Sequence, residues 1–425
     1  MKYIKNINKL MRNNHSIINN CPITGDSNQV KYFDLGKIPL VNNLCNSKEE
    51  AINCDKFPLN VNYYENSGLS SLDFVVDSEL LFSHYLFKSS VNIPYYKHCQ
   101  EMFNFLKKYF LSSKLNIADI GGNDGTLLEA FRSISEGCEL NLLNIDPSKN
   151  LTKICEEKQI PVLNKFFSLE VAQQIEQKFD IVVSTNVFQH LREIESFTKG
   201  VKYMMSDNGI WLLEFPYWIS DMDTNQFDQI YHEHVYYYSV KPINLIMKKN
   251  GLKIINITKQ NIHGGTLRVL ICREESNLNT DETLQNYLNF EDKYDMQYHI
   301  KWGEDINKHI NKSKDFIKNI KKSGKSIYGF GAAAKGCIYL NAMNLDSNDI
   351  DYIIDDTDIK QGKFVPGVGI EIVSRDILKS KKPDYILILA HNFKDYIIES
   401  LNDIYDGDYI VLIPESKIIK NNDKH

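Results

Sequence analysis

The stretch Tyr231-His-Glu-His-Val-Tyr-Tyr-Tyr238 concentrates groups that move protons near neutral pH. Histidine titrates close to neutrality, and a neighbouring carboxylate can orient it or raise its basicity. Tyrosine hydroxyls can donate hydrogen bonds to a developing oxyanion. Two histidines around a glutamate also suggest a metal centre, but the spacing argues otherwise. A helical zinc motif sets its histidines four residues apart, with the glutamate beside the first. His232 and His234 are two apart, which puts them on one face of an extended segment. The pattern predicts acid–base chemistry, with Tyr231, Glu233 and His234 as its groups and no metal.

A second constellation is Ile117-Ala-Asp-Ile-Gly-Gly-Asn-Asp-Gly-Thr126, a strand, a glycine-rich turn and a helix start. Glycine lets the backbone approach a ligand, and the helix N-terminus offers free N–H groups. Asp119 and Asp124 crowd the turn, which disfavours a phosphate. They suit a ligand with a cationic end and hydroxyls, such as S-adenosylmethionine. Gly121, Asn123 and Gly125 shape the cradle. Asp146 ends the next strand, about 20 residues on, where a carboxylate can accept both ribose hydroxyls. The bland alternative for Asp146 is a helix N-cap, since Pro147 and Ser148 follow. Asn186 and His190 follow the strand 179–183, in the crevice where such sheets bind ligands. Gly264, Gly265 and Arg268, in His263-Gly-Gly-Thr-Leu-Arg268, suit close approach to a carbonyl or phosphate. Lys335, in Gly329-Phe-Gly-Ala-Ala-Ala-Lys-Gly336, sits where a turn meets a phosphate or only packs.

These groups need an α/β scaffold. Strands are expected at 115–120, 140–145, 179–183 and 209–214, alternating with helical stretches, as in a parallel, doubly wound sheet. A second α/β run begins at 326, after a charged helical connector over 281–323. Residues 21–80 are broken by Gly, Pro, Asn and Asp, as in a small β-rich module. The expected division is 1–80, 81–280 and 281–425. The net charge of −6 excludes a general nucleic-acid binder, and no run approaches the ~20 apolar residues of a membrane span. Eight scattered cysteines without a Cys-x-x-Cys pair point to a reducing, cytoplasmic compartment.

Seven ordered motifs together resemble the three-domain C-methyltransferases that act on nucleotide-linked deoxy-keto sugars. They are Gly121–Gly125, Asn186–His190, Glu214–Tyr217, Tyr231–His234, Gly264–Arg268, Gly329–Gly336 and Asp355–Gly367. The resemblance spans about residues 21–415. It implies a central Rossmann-like domain that binds S-adenosylmethionine. It also implies a C-terminal Rossmann-like α/β domain that helps hold the nucleotide sugar, with dTDP or GDP as the nucleotide. By the same resemblance His234 is the base, with Glu233, Tyr231 and Tyr85 near the sugar. His232, Gly264, Gly265, Arg268, Lys335 and Lys360 then bind substrate. The second tyrosine of the family's closing segment is Phe87 here.

The N-terminal module departs from the family. Two Cys-x-x-Cys pairs that hold zinc there read Cys21-Pro-Ile-Thr24 and Tyr64-Glu-Asn-Ser67 here. One thiolate cannot complete a tetrahedral zinc site, so the module is expected to fold by apolar packing without zinc. The implied activity is methylation of C3 of a 4-keto-6-deoxy sugar through an enolate. An O- or N-methyltransferase, or a nucleotide-sugar-binding protein without turnover, fits the same motifs.

Overall fold

A computed structural model describes residues 15–77, 81, 89, 93–110, 112–262 and 264–421. Tyr85, Phe87 and His263 lie outside the described residues.

The central sheet has seven strands. In spatial order they are Leu252–Gln260, Thr266–Arg273, Met205–Pro216, Phe179–Thr185, Lys114–Ile120, Glu139–Ile145 and Val162–Leu163. All are parallel except Thr266–Arg273, which runs antiparallel to both neighbours. The strand order reverses between Lys114–Ile120 and Phe179–Thr185, so the turns after these two strands open a crevice. Strands such as Phe-Asp-Ile-Val-Val-Ser-Thr are buried almost throughout, as expected of a sheet covered on both faces.

The C-terminal sheet has six strands, ordered Ile372–Val373, Tyr352–Ile354, Ile327–Phe330, Tyr385–Ile388, Asp408–Val411 and Lys417–Ile419. Its order reverses between Ile327–Phe330 and Tyr385–Ile388, which places Gly331–Lys335 and Ala390–Asn392 at a second crevice.

The N-terminal sheet is built from Val30–Pro39, Lys56–Tyr64 and Leu69–Leu72, and its fourth strand is Tyr236–Tyr237 from the far side of the chain. Tyr236 and Tyr237 are therefore sheet residues, and with Tyr238 they are buried to 4% exposure or less. The helix Met296–Lys322 buries His299, Trp302, Ile306, Ile310, Ser313 and Ile317, one stripe at helical spacing. At Gly303 it approaches the N-terminal sheet so closely that a Cβ would collide with the Tyr32 carbonyl. Trp302 shares one core with Phe33 and Val61 of that sheet, with Ile338 of the helix Ala334–Met343 and with Leu387 of the C-terminal sheet. That shared core fixes the outer parts against each other. Among the described residues no helix is long and apolar enough to cross a membrane.

Candidate active site

The glycine turn follows Ile120. Gly121 and Gly125 have φ of 72° and 75°, a region that side chains with a Cβ avoid. A Cβ on Gly121 would strike Val187, and one on Gly122 would come within 2.6 Å of the Asp119 carboxylate. Asp119 is 1% exposed and neither of its oxygens has a hydrogen-bond partner. Burial, with the nearby Asp146 charge, pushes its pKa up to about 8. An orphaned buried carboxyl group of this kind fits a cationic ligand. Asp146 accepts from the Asn123 N–H at 2.9 Å and the Ser148 N–H at 2.8 Å, and burial raises its pKa. Asp146 is not a helix N-cap, since the next helix is Thr152–Glu157 with Leu151 at its cap, and each carboxylate oxygen can still accept a second bond. Asn186, at φ 55°, closes the crevice opposite, with its N–H on the Glu214 carbonyl. The N–H of Ser89 donates to the Asn123 side chain at 3.0 Å and so covers the turn. Asp124 differs from expectation. It is fully buried, takes the Thr126 hydroxyl at 2.6 Å and lies 4.0 Å from the Lys158 ammonium, so it braces the helix start from inside.

The Tyr-His-Glu-His segment is a turn and not an extended strand. The His234 N–H donates to the Tyr231 carbonyl at 2.9 Å. This brings Tyr231 and His234 to one side and turns His232 to the other. His234 Nδ1–H donates to the Gln229 carbonyl at 2.9 Å, which leaves Nε2 as acceptor for the Tyr231 hydroxyl at 2.7 Å. Burial, with the charges of His190 and Lys335, holds the His234 pKa well below its usual value. The imidazole is thus neutral, with its lone pair on Nε2. The His190 ring lies 4.9 Å from that of His234, and His190 Nδ1–H donates to the Glu233 carbonyl at 2.6 Å. Burial depresses the His190 pKa to about 4. Glu233 accepts from the Asn42 amide at 2.5 Å through one oxygen, while the other has no hydrogen-bond partner. Burial raises its pKa to about 7.

Three residues expected to bind substrate are engaged elsewhere. His232 donates through Nε2 to the Pro58 carbonyl at 3.1 Å and packs its edge on Phe57, inside the N-terminal module. Arg268 is 4% exposed and pairs across the sheet with Glu214, its Nε 2.6 Å from Oε1, while His98 lies 2.8 Å from Oε2. Burial opposes the Glu214 charge, yet His98 and Arg268 hold its pKa below the usual value. Lys360 donates to the Ala332 carbonyl at 3.0 Å and to Asp355 at 3.2 Å, and Asp355 in turn accepts the Ala332 N–H. The C-terminal glycine turn is closed on itself by these contacts. Lys335 remains turned inward, its Nζ buried without a hydrogen-bond partner and its charge reaching Asp221, His234 and His391.

Gly264 and Gly265 border a cavity of about 340 Å³, with Ser220, Lys259, Asn261 and Asn392 in its wall. The Cys21 thiol donates to the Ser67 hydroxyl at 3.2 Å, both buried, in a cluster with Tyr64 and Leu69. Residues in two of the family's zinc positions thus face each other as a thiol and a hydroxyl, an arrangement that does not fit a structural zinc ion. Among the described residues no group of three or more His, Cys, Asp or Glu could hold a metal. The partners that the sequence does not reveal are Asn42, His98, Gln226 and His391. Each acts across a long sequence separation, 191 residues for Asn42 and Glu233.

Comparisons with known proteins agree with this geometry. Residues 95–257 match the family described as a methyltransferase domain, and residues 261–414 match the C-methyltransferase C-terminal domain. The C-methyltransferase NovU of Streptomyces niveus is 26% identical over 411 residues, 95% of this chain and 97% of its own length. Among solved structures, the magnesium protoporphyrin IX methyltransferase ChlM from Synechocystis PCC 6803 overlaps 43% of this chain and 80% of its own. Its identity is 14% and the TM-score 0.33. A methyltransferase from Clostridium acetobutylicum ATCC 824 overlaps 42% of this chain and 92% of its own, at 11% identity and a TM-score of 0.34. Two adjoining family matches and a relative that spans nearly the whole chain agree: the chain is a methyltransferase, and it is similar to C-methyltransferases along its length.

Proposed function

We propose that the acceptor is a carbon beside a ketone, C3 of a nucleotide-linked 4-keto-6-deoxy sugar, with dTDP favoured over GDP as the nucleotide. The observation that carries this reading is the His234 tautomer. Nδ1–H is committed to the Gln229 carbonyl, so Nε2 is a neutral base whose partner among the described residues, the Tyr231 hydroxyl, can turn to a ketone oxygen. His234 Nε2 takes the C3 proton, and the electron pair moves to the ketone oxygen as an enolate. Tyr231 donates to that oxygen, and the Tyr85 hydroxyl is a second donor by the family resemblance. When bound, S-adenosylmethionine supplies an electrophilic methyl group. The enolate carbon would accept that methyl as the carbon–sulfur bond broke, and the ketone would re-form. Glu233, near half-protonated at neutral pH, and His190 hold the segment from behind. The division into residues 1–80, 81–280 and 281–425 belongs to the same reading.

Asp119, Gly121, Asn123, Gly125, Asp146 and Asn186 hold the cofactor, with Asp119 toward its ammonium end. Asp119 is protonated at pH 7 in the free protein, because its pKa is about 8. A cation beside it lowers that pKa, so binding releases a proton and weakens as pH falls. Titration calorimetry in buffers of different ionisation enthalpy will show this release. Asp119→Asn will abolish it and weaken S-adenosylmethionine about tenfold or more, from the ~1.5–3 kcal/mol of a hydrogen bond to a charged group. Equal affinity and equal proton release in the variant would remove Asp119 from the cofactor site.

The acceptor is tested with ¹³C-methyl S-adenosylmethionine and a panel of nucleotide-linked keto sugars. A carbon-bound methyl signal in the product is expected. A methyl on oxygen or nitrogen would replace the ketone chemistry with simple hydroxyl or amine methylation.

A further inference from the structure

Cys45 and Cys54 flank the short helix Lys48–Ile52 of the N-terminal module, which Ser47 caps through the Glu50 N–H. The stretch that they enclose is docked on one turn of the C-terminal part, Phe364–Gly367. Cys45 and Phe364 exchange two backbone hydrogen bonds, at 3.0 and 2.9 Å, and the Gly367 N–H donates to the Ala51 carbonyl at 2.8 Å. The Lys363 ammonium donates to the Asn46 side chain at 2.6 Å, a contact between residues 317 apart in sequence. The Lys48 ammonium donates to the Ser347 hydroxyl at 2.7 Å. The thiols of Cys45 and Cys54 meet at this turn, where the Gly367 N–H also points at Cys54.

Other thiols of the chain face different groups. Cys21 faces the Ser67 hydroxyl, Cys155 the Asn144 amide, and Cys138 the Ser112 and Glu139 carbonyls. Cys99, Cys272 and Cys337 are buried.

The two thiols at the turn are unequal, as a thiol–disulfide pair requires. Cys45 is buried, and its contact with Cys54, followed by desolvation, raises its pKa. Cys54 is half-buried. The Cys45 thiol lowers its pKa, and the Gly367 N–H and the Lys56 charge act in the same direction against desolvation. The thiolate is the nucleophile in thiol–disulfide exchange, so Cys54 attacks and Cys45 resolves. Simple packing accounts for a buried Cys45, but not for a half-buried Cys54 held beside a backbone N–H and a lysine.

We propose that Cys45 and Cys54 are a reversible redox-modification site, which a small-molecule disulfide such as glutathione disulfide closes into a covalent loop over the Phe364–Gly367 turn. The Cys54 thiolate attacks one sulfur of glutathione disulfide, forming a mixed disulfide and releasing one glutathione thiolate. Cys45 gives its proton to a leaving thiolate and attacks the Cys54 sulfur, and the second glutathione departs. Two protein thiols are oxidised to one disulfide, and one glutathione disulfide is reduced to two thiols. In a reducing compartment the pair rests as thiols and closes transiently under oxidation.

The test is peptide mapping of the native full chain after equilibration with glutathione and glutathione disulfide at stepped ratios. Trypsin cuts after Lys48, so Cys45 and Cys54 fall in separate peptides that only the new bond can join. The expected product is that joined pair, lighter by about 2 Da than the two peptides together, and separated again by dithiothreitol. Cys138, half-buried without a thiol beside it, ends as a glutathione adduct. Cys45→Ser stops at a Cys54–glutathione adduct, a gain of about 305 Da, and Cys54→Ser leaves Cys45 unmodified. The joined pair is read on the native chain, so a variant that failed to fold would not obscure it. Glutathione retained on Cys54 of the native chain without joined peptides overturns the site. A joined pair that forms only in denaturant overturns it as well, as does a Cys54 that reacts no faster than Cys138. None of these outcomes depends on the acceptor sugar.

Discussion

Replacing His234 by Asn lowers kcat by about 10²–10⁴-fold, the range spanned by loss of a positioned general base, and leaves S-adenosylmethionine binding within twofold. Asn keeps an N–H for the Gln229 carbonyl and an acceptor for Tyr231, so the turn survives while the base is lost. The native pH profile carries the same signature. Burial holds the His234 pKa well below the usual histidine value, so the base stays free as pH falls through 6.5. At saturating S-adenosylmethionine the acid limb of kcat/KM for the sugar therefore lies below that point. Steady-state rates of the native and variant proteins from pH 5 to 8 check both expectations. Near-normal turnover in His234→Asn would give the proton to another group.

The largest loss of stability is expected at Glu214. Its carboxylate is 1% exposed and holds Arg268, 4% exposed, together with His98. Glu214→Leu leaves a buried guanidinium without a counter-charge, a change that costs about 3–5 kcal/mol. Removing both charges in Glu214→Leu/Arg268→Met restores most of that loss, because an apolar pair of similar volume substitutes well for a buried ion pair. Urea unfolding of the single and double variants, followed by tryptophan fluorescence, separates the two. A single-variant loss under about 1 kcal/mol would mean that the pair is hydrated like a surface bridge. Arg268 thus pairs inside the scaffold with the residue whose backbone carbonyl accepts the Asn186 N–H.

The glycine-rich turn after Ile120 was legible in the sequence because its rules are local. Glycines at positive φ, a strand before and a helix after, and an acid at each strand end can be read within 30 residues. The Tyr-His-Glu-His segment was legible in composition but not in conformation. Alternation suggested an extended face carrying both histidines, whereas the chain turns and puts Tyr231 with His234. His232 then falls to the N-terminal module. Arg268 and Lys360 were misread for a shared reason. A cation beside a glycine turn has the same sequence pattern whether it meets a ligand or a buried carboxylate, and here Glu214 and Asp355 claim them. Gln226 and His391 carried no sequence signal, since their contact joins separate parts of the fold. The departure from the family's cysteine pairs was legible in the sequence, whereas the thiol facing a hydroxyl beneath Tyr64 and Leu69 needed the packing to be seen.

The measurement that bears most directly on the central claim is deuterium incorporation in heavy water. The full chain is incubated with S-adenosylhomocysteine, which has no methyl to give, and a nucleotide-linked 4-keto-6-deoxy sugar. Enolate chemistry at His234 predicts one carbon-bound deuterium at C3 of the recovered sugar, seen as a mass gain of about 1 Da, and no exchange with His234→Asn. Methyl transfer from S-adenosylmethionine to the same sugar, with no deuterium entering C3 under either condition, would contradict proton abstraction beside the ketone.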